Sequence, residues 1–549
     1  MLARCALAAP LRTAPRPSPL AFKAHLASST STSSSSSPRL RPSPPTAGQP
    51  QPPPPRTEAQ PDLRPQPSVL RPRARTYQLE SLSTSPHSPL SDTTLHFVNP
   101  ADPTHKRTLS LPNLFLRDCS IHPDHVHPAS QQRLFRTTDI PLDGHLVGYG
   151  VHDIPGKGDC LVTEWSTRLA SASPSSKAAK LSVVPLDLLV GILEGDALAN
   201  EKQGHLPPAT PWDRAQLERT LVRVAYADFL ASDAALERTL AGLIQDGICV
   251  VTGVPTLERE GHDKPELRRL VERIGSLRRT WYGDLWDVKA EEGSLNIAYT
   301  NLDLGLHMDL THFDNPPRYQ FLHSLQNRHV VGGTSYFVDT FALAEHLRTE
   351  SPSAFDTLAT EHVTFEYRNG PHHTRFVRPT LELAHAPGQG STDGATATGT
   401  AVRTGRVHAV NYSPPFQGPL TLERTTRSSS ATTSDDAERL GRLHDALAQF
   451  AELCDDPEGR WRWTHQLAEG ECVVFDNRRV LHARTAFEFV RPQEEGAVEG
   501  EGEGDAEAGR WLKGAYMDGD ELWSRWRVLK ARQRAERDQA RTRGRTLFV

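Results

Sequence analysis

The sequence predicts an α+β chain, mainly β, with a small β-rich N-terminal domain ahead of a larger strand-rich domain that carries helices on one side. Three observations lead there. Residues 93–152 alternate apolar and polar side chains in short runs, as in Thr94-Leu95-His96-Phe97-Val98, and a period of two marks half-buried strands. Beyond residue 247, short apolar runs recur between turn residues: Ile248-Cys249-Val250-Val251, Tyr319-Gln320-Phe321-Leu322-His323, Thr334-Ser335-Tyr336-Phe337-Val338 and Cys472-Val473-Val474-Phe475. The polar, proline-containing stretch 195–213 separates the two regions as a linker would.

The elements follow in order. Residues 1–57 contain no Asp or Glu but carry Arg4, Arg12, Arg16, Lys23, Arg39, Arg41 and Arg56, with an unbroken serine run at 33–37. That is the composition of a mitochondrial transit peptide, and also of a plain unstructured tail, which would leave the protein cytoplasmic. Gln49 to Arg75 is proline-rich linker, so 1–76 is assigned as leader and linker. The N-terminal domain spans 77–195, closing on a predicted helix over Leu181–Leu193. After a linker at 196–213, the large domain occupies 214–549. It opens with predicted helices over Arg214–Asp228 and Asp233–Gly247, the second ended by its glycine. Three stretches read as surface insertions, near 386–400, 425–435 and 494–509, the last a Glu/Gly run almost without apolar residues. Met517–Arg545 closes the chain as a long basic helix.

Composition removes several function classes. A net charge of -5 gives no basis for nucleic acid binding. No run of about 18 apolar residues is present, so no helical membrane span is expected. Six cysteines are scattered without C-x-x-C spacing. That argues against a disulfide framework and fits a reducing compartment.

The chemistry starts at His307-Met308-Asp309. On a strand, residues i and i+2 share a face, so His307 and Asp309 can grip one ion together. The second imidazole comes from Val480-Leu481-His482, a strand candidate beyond the turn Asp476-Asn477. Two histidines and one carboxylate form the facial set that iron(II) oxygenases use, with coordination positions left open.

In order, the chain shows strand Ile248–Val251, Tyr282-x-x-x-Trp286, Asn296-Ile297-Ala298-Tyr299-Thr300, His307-x-Asp309, Gly332-Gly333-x-Ser335, Val480-Leu481-His482 and Arg510-x-Leu512-x-Gly514-Ala515-Tyr516. This series resembles the γ-butyrobetaine hydroxylase and trimethyllysine dioxygenase family, iron(II)- and 2-oxoglutarate-dependent oxygenases similar to taurine dioxygenase. The resemblance covers roughly 90–549. It implies a double-stranded β-helix, or jelly roll, with flanking helices, and a homodimer. It implies iron on His307, Asp309 and His482, with ascorbate as reductant. It places the 2-oxoglutarate carboxylate on Arg510, a residue type whose fork matches a carboxylate. The interval from His482 to Arg510 is longer than the family's, which the Glu/Gly insertion accounts for. Arg491 is the alternative anchor, and Arg484 lies close to the iron ligand His482.

The family's aromatic cage falls on Tyr282, Trp286, Tyr299 and Tyr516. A quaternary ammonium has no N–H to donate, so aromatic faces are what can recognise it. The competing reading is that these rings pack a core. The implied substrate is γ-butyrobetaine, giving carnitine. The alternative is N6-trimethyllysine, whose extra α-ammonium calls for a nearby acid. The trimethyllysine enzymes place an Asp where this chain has neutral Asn296. The leader pulls toward trimethyllysine. Two further readings stay open: a binder of trimethylammonium groups without catalysis, and an oxygenase of a sulfonate or other small acid. The N-terminal domain resembles the family's zinc module at Leu116-Arg117-Asp118-Cys119 and His127-Pro128-x-Ser130-x-Gln132-Arg133. His122 and His125 stand where cysteines are expected, so zinc is left unassigned.

Overall fold

The computed structural model describes residues 77–84, 92–154, 157–172, 175–194, 206–256, 265–289, 301–384, 405–420, 433–490 and 509–546. All fall in one unit, Pro67–Val549. The leader, Arg491, Asn296, Tyr299 and the three predicted insertions lie outside the described residues, except that a helix begins at Thr433 and a strand at Gly509.

The N-terminal region forms two antiparallel sheets. Strands β1 (Gln78–Thr84), β2 (Asp92–Asn99) and β3 (Asp102–Pro112) make one, and β4 (Leu146–Ile154), β5 (Gly158–Trp165) and β6 (Leu181–Pro185) the other. The alternation read from Thr94–Val98 appears directly: Leu95 and Phe97 are fully buried. The expected helix over Leu181–Leu193 is half strand. Ser182, Val183 and Val184 pair with β5, and the helix starts only at Leu186, after Pro185. Branched residues prefer the pleated surface, and Pro185 has no N–H for a helix ladder. This region has its own core, around Leu95, Phe97, Leu161, Trp165 and Leu189.

The larger region is built on two sheets. Its first strands are β7 (Val222–Ala225) and β8 (Ile248–Thr252), which pair in parallel. The helix expected over Arg214–Asp228 therefore breaks into two, Arg214–Thr220 and Tyr226–Ala231, around Val222-Arg223-Val224. Helix Asp233–Gln245 is capped by the Ser232 side chain, and Gly247 (φ +75°) turns the chain into β8. There follow β9 (Leu285–Lys289), β10 (Leu304–His307), β11 (Tyr319–Arg328), β12 (Val330–Gly332), β13 (Ser335–Asp339), the hairpin β14 (His362–Asn369) and β15 (His372–Pro379), then β16 (Leu381–Ala384) and β17 (Arg406–Val410). β18 (Arg462–His465), β19 (Cys472–Asp476), β20 (Val480–Arg484), β21 (Phe487–Phe489) and β22 (Gly509–Met517) complete the set.

Six strands form the major sheet in the order β7-β8-β19-β11-β22-β9, and four form the minor sheet as β10-β20-β13-β18. One cluster holds them together: Ile248, Leu322, Val473, Phe475 and Leu512 of the major sheet meet Phe337, Trp463 and Val480 of the minor one. The major sheet's other face carries Cys249, Phe321, Val474 and Ala515 and is covered by helices. Helix Glu266–Ile274 supplies Leu267, Leu270, Val271 and Ile274, an i, i+3, i+4, i+7 stripe. The final helix, Gly519–Thr546, starts two residues after the predicted point because Met517 still belongs to β22, and it adds Leu522, Trp526 and Leu529.

Candidate active site

The three predicted ligands come together. One ligand atom from each of His307, Asp309 and His482 lies within 4.8 Å of the others, the group of three that meets this test among the described residues. Strand pairing is the cause: His307 on β10 sits directly opposite His482 on β20. Their rings are 4.2 Å apart between centroids. Asp309 lies just past the end of β10, yet the alternation continues, with Leu306 and Met308 turned into the apolar cluster behind the sheet. Asn477, from the turn after β19, holds its main chain on both sides. The Asn477 amide oxygen accepts from Asp309 N at 2.8 Å, and the amide nitrogen donates to Asp309 O at 2.9 Å.

The electrostatics suit a cation. His307 Nδ1 donates to Gly305 O at 2.8 Å, which leaves Nε2 as the free lone pair. That Nε2 is 3.3 Å from Asp309 Oδ1, and His482 Nε2 is 4.0 Å from the same oxygen. Burial and the neighbouring His307 push His482 down to about 3, so its imidazole is neutral and able to coordinate. Burial opposes the charge on Asp309, but His307, His482 and the Tyr516 hydroxyl outweigh it and hold the carboxyl well below the usual range. Two imidazoles and a carboxylate on one spot fit a divalent transition metal.

Arg510 is buried on β22 and pairs with Asn327 of β11. Its side chain runs past Gly333, where an added Cβ would meet Arg510 Nε at 3.1 Å. Arg510 and Arg484 both lie on the Phe487 ring, at 5.3 and 4.9 Å. Burial, and the charge of Arg484 beside it, push Arg510 down to about 9. No carboxylate pairs with Arg510 among the described residues. Two cations held this way fit an anionic ligand such as a dicarboxylate.

Three of the four predicted cage residues can be placed. Trp286 on β9 packs on Tyr516 of β22, with ring centroids 5.1 Å apart and planes at 32°. Gly514, opposite Trp286, makes room: a Cβ there would come within 2.3 Å of the indole. The Tyr516 hydroxyl donates to Asp309 Oδ2 at 2.7 Å, so this ring borders the metal ligands. Burial raises the Tyr282 phenol, and its ring lies 5.9 Å from that of Trp281 between centroids.

Sequence reading missed several neighbours. Trp281 stacks on His312, Tyr367 and His372 within 19° of parallel. These contacts bind the β14–β15 hairpin to the loop after Asp309. Gln320 is buried between Tyr516 and Phe475 across the inner face of the major sheet, and its Oε1 has no hydrogen-bond partner among the described residues. Strand alternation through β11 was the signal available for Gln320; the stacked rings come from distant segments and left none. In the N-terminal region, the His122 and His125 rings are 5.1 Å apart, and His125 Nδ1 shares a hydrogen bond with Ser120 Oγ. No three-ligand group forms there among the described residues.

Comparison with known proteins gives a consistent set of relatives. Residues 206–516 match the family model "Taurine catabolism dioxygenase TauD, TfdA family". The chain is 35% identical to dioxygenase str8 of Strobilurus tenacellus over 418 residues, 76% of this chain and 84% of that one. It is 29% identical to the γ-butyrobetaine dioxygenase of Pseudomonas sp. (strain AK-1), covering 76% of this chain and 90% of that enzyme. It is 24% identical to the trimethyllysine dioxygenase of Neurospora crassa, covering 77% and 81%.

Proposed function

This chain belongs to the TauD, TfdA dioxygenase family, in its γ-butyrobetaine and trimethyllysine dioxygenase branch, and is a 2-oxoglutarate-dependent dioxygenase; from that premise we propose that it hydroxylates a trimethylammonium substrate, γ-butyrobetaine, to carnitine. The observation that carries the substrate reading is the position of Tyr516. Its ring lies against Trp286 and its hydroxyl on Asp309. A cation held on those faces is therefore next to the metal ligands.

His307, Asp309 and His482 would hold the iron(II), and Arg510 the far carboxylate of 2-oxoglutarate. Iron(II) bound there supplies the oxidising chemistry, drawing on dioxygen and 2-oxoglutarate, with ascorbate keeping it ferrous. The protein's own contribution is positioning. His307, fixed through Gly305, and Asp309, fixed through Asn477, keep the ligand atoms converged before any ion arrives. Tyr282, Trp286 and Tyr516 turn ring faces to the trimethylammonium, and the family resemblance assigns Tyr299 as the fourth cage residue. Each face contributes about 0.5–2 kcal/mol depending on desolvation. Neutral Asn296 favours γ-butyrobetaine, because the α-ammonium of trimethyllysine would be left there without an acid.

The same reading extends to the rest of the chain. The two facing sheets are a double-stranded β-helix, 214–549 is the oxygenase domain, 77–195 a separate β-rich domain, and the whole a homodimer. The arginine- and serine-rich, acid-free leader supports a mitochondrial address. The test is purified protein with iron(II), ascorbate and 2-oxoglutarate, offered γ-butyrobetaine and trimethyllysine in parallel, with products read by mass spectrometry. Hydroxylated γ-butyrobetaine is expected. Oxidation of trimethyllysine alone would transfer the assignment to that substrate, and succinate release with neither would refute the trimethylammonium reading.

A further inference from the structure

We propose that Tyr516 is a positioning residue for the metal centre: its hydroxyl holds Asp309 as a ligand through one oxygen. The proposal rests on the iron site described above and adds a role for Tyr516 beyond its ring face. The two carboxylate oxygens of Asp309 have different neighbours. Oδ1 faces both imidazoles, at 3.3 Å from His307 Nε2 and 4.0 Å from His482 Nε2. Oδ2 accepts the Tyr516 hydroxyl at 2.7 Å.

Main-chain bonds cannot produce that division. Asn477 fixes the Asp309 backbone, but rotation of a carboxylate about its last torsion is broad and nearly two-fold. Only a bond to one oxygen selects the orientation. Tyr516 can provide it because its own position is over-determined. It is buried, it lies opposite Gln320 in the regular Tyr319–Ser324 stretch of the β11–β22 ladder, and its ring packs on Trp286. With Oδ2 engaged, the carboxylate offers the ion one oxygen. A second oxygen swinging in would occupy a position that a chelating 2-oxo acid and dioxygen must share. One side chain therefore belongs both to the cation-binding wall and to the metal's outer support, a layer that typically controls metal affinity by about 10- to 100-fold.

The test is Co(II) binding to the apo-protein, followed by its visible d–d absorption and by competition with a chelator, with no substrate or turnover involved. Tyr516→Phe keeps the ring and loses the hydroxyl. It should weaken Co(II) binding about 10- to 100-fold and change the d–d spectrum, while the apo-protein's Tm stays close to that of wild type. Tyr516→Leu should weaken Co(II) binding to the same degree, since the hydroxyl and not the ring acts on the ion; either variant alone decides the matter. Affinity and spectrum unchanged from wild type in a folded variant would overturn the proposal. Wild-type protein that takes up Co(II) independently of His307 and His482 would instead overturn the iron site, and this role with it.

Discussion

Trp286 and Arg510 separate the two ligands the site must hold. Trp286 has a ring face and no charge; Arg510 has a charge and lies on β22 four residues before Gly514, the residue opposite Trp286. Trp286→Ala removes one cage wall and should raise KM for the trimethylammonium substrate by roughly 2- to 30-fold, the equivalent of one such face. KM for 2-oxoglutarate should not move; equal loss of both would contradict the division of labour. Arg510→Met removes a charge-assisted contact and should raise KM for 2-oxoglutarate by roughly 10- to 100-fold, with the opposite selectivity. At this scale the sequence was most legible. His307, Asp309 and His482 announce themselves by residue type and spacing, and the structure brings them within 4.8 Å. Asn477 was readable only as part of a turn, because its clamp on Asp309 needs two segments 168 residues apart. Gln320 was marked only by its place in the β11 alternation, with no motif to assign it a role.

Among the elements, β22 carries the most function: Arg510, Gly514 and Tyr516 lie on it at fixed register against β11 and β9. Gly514 is the residue that lets β9 bring its indole over the strand. Gly514→Val should displace Trp286 and raise the substrate KM about as much as deleting the indole does, while Co(II) affinity is retained. Unchanged KM would show that the indole does not need this approach. Strand segments bounded by turns were legible, as at Ile248–Val251 and Cys472–Phe475. Two helices were over-extended for one reason. At Ser182-Val183-Val184 and Val222-Arg223-Val224, three residues are too few to fix a period, and pairing with β5 and β8 decides for strand. Long-range pairing is the information a local window lacks.

The larger region of the chain is held together by buried charge as well as by apolar packing. Arg479 is 1% exposed at its side chain and its partner Asp339 0%. The guanidinium also donates to Gln245 O and Thr210 O, each at 2.7 Å, so it joins β13, the turn before β20, the end of helix Asp233–Gln245 and the segment before helix Arg214–Thr220. Arg479→Met leaves Asp339 buried without its cation and should cost about 3–5 kcal/mol in unfolding free energy, read by denaturant melts. Acid should also destabilise the fold. Burial pushes His125 and His323 each down to about 4. Their folded values lie below the unfolded one, so stability is full above about pH 6.5 and is lost as pH falls toward 4, by at most roughly 3 kcal/mol per residue. His323→Phe should therefore show a smaller fall in Tm between pH 7 and 4.5 than wild type.

The central claim is geometric, and an anaerobic crystal structure with Fe(II), 2-oxoglutarate and γ-butyrobetaine tests it most directly. The ion should sit on His307, Asp309 and His482, the far carboxylate of 2-oxoglutarate on Arg510, and the trimethylammonium against Tyr282, Trp286 and Tyr516. An ion bound through other residues, or a betaine whose methyl groups lie away from those three rings, would contradict it.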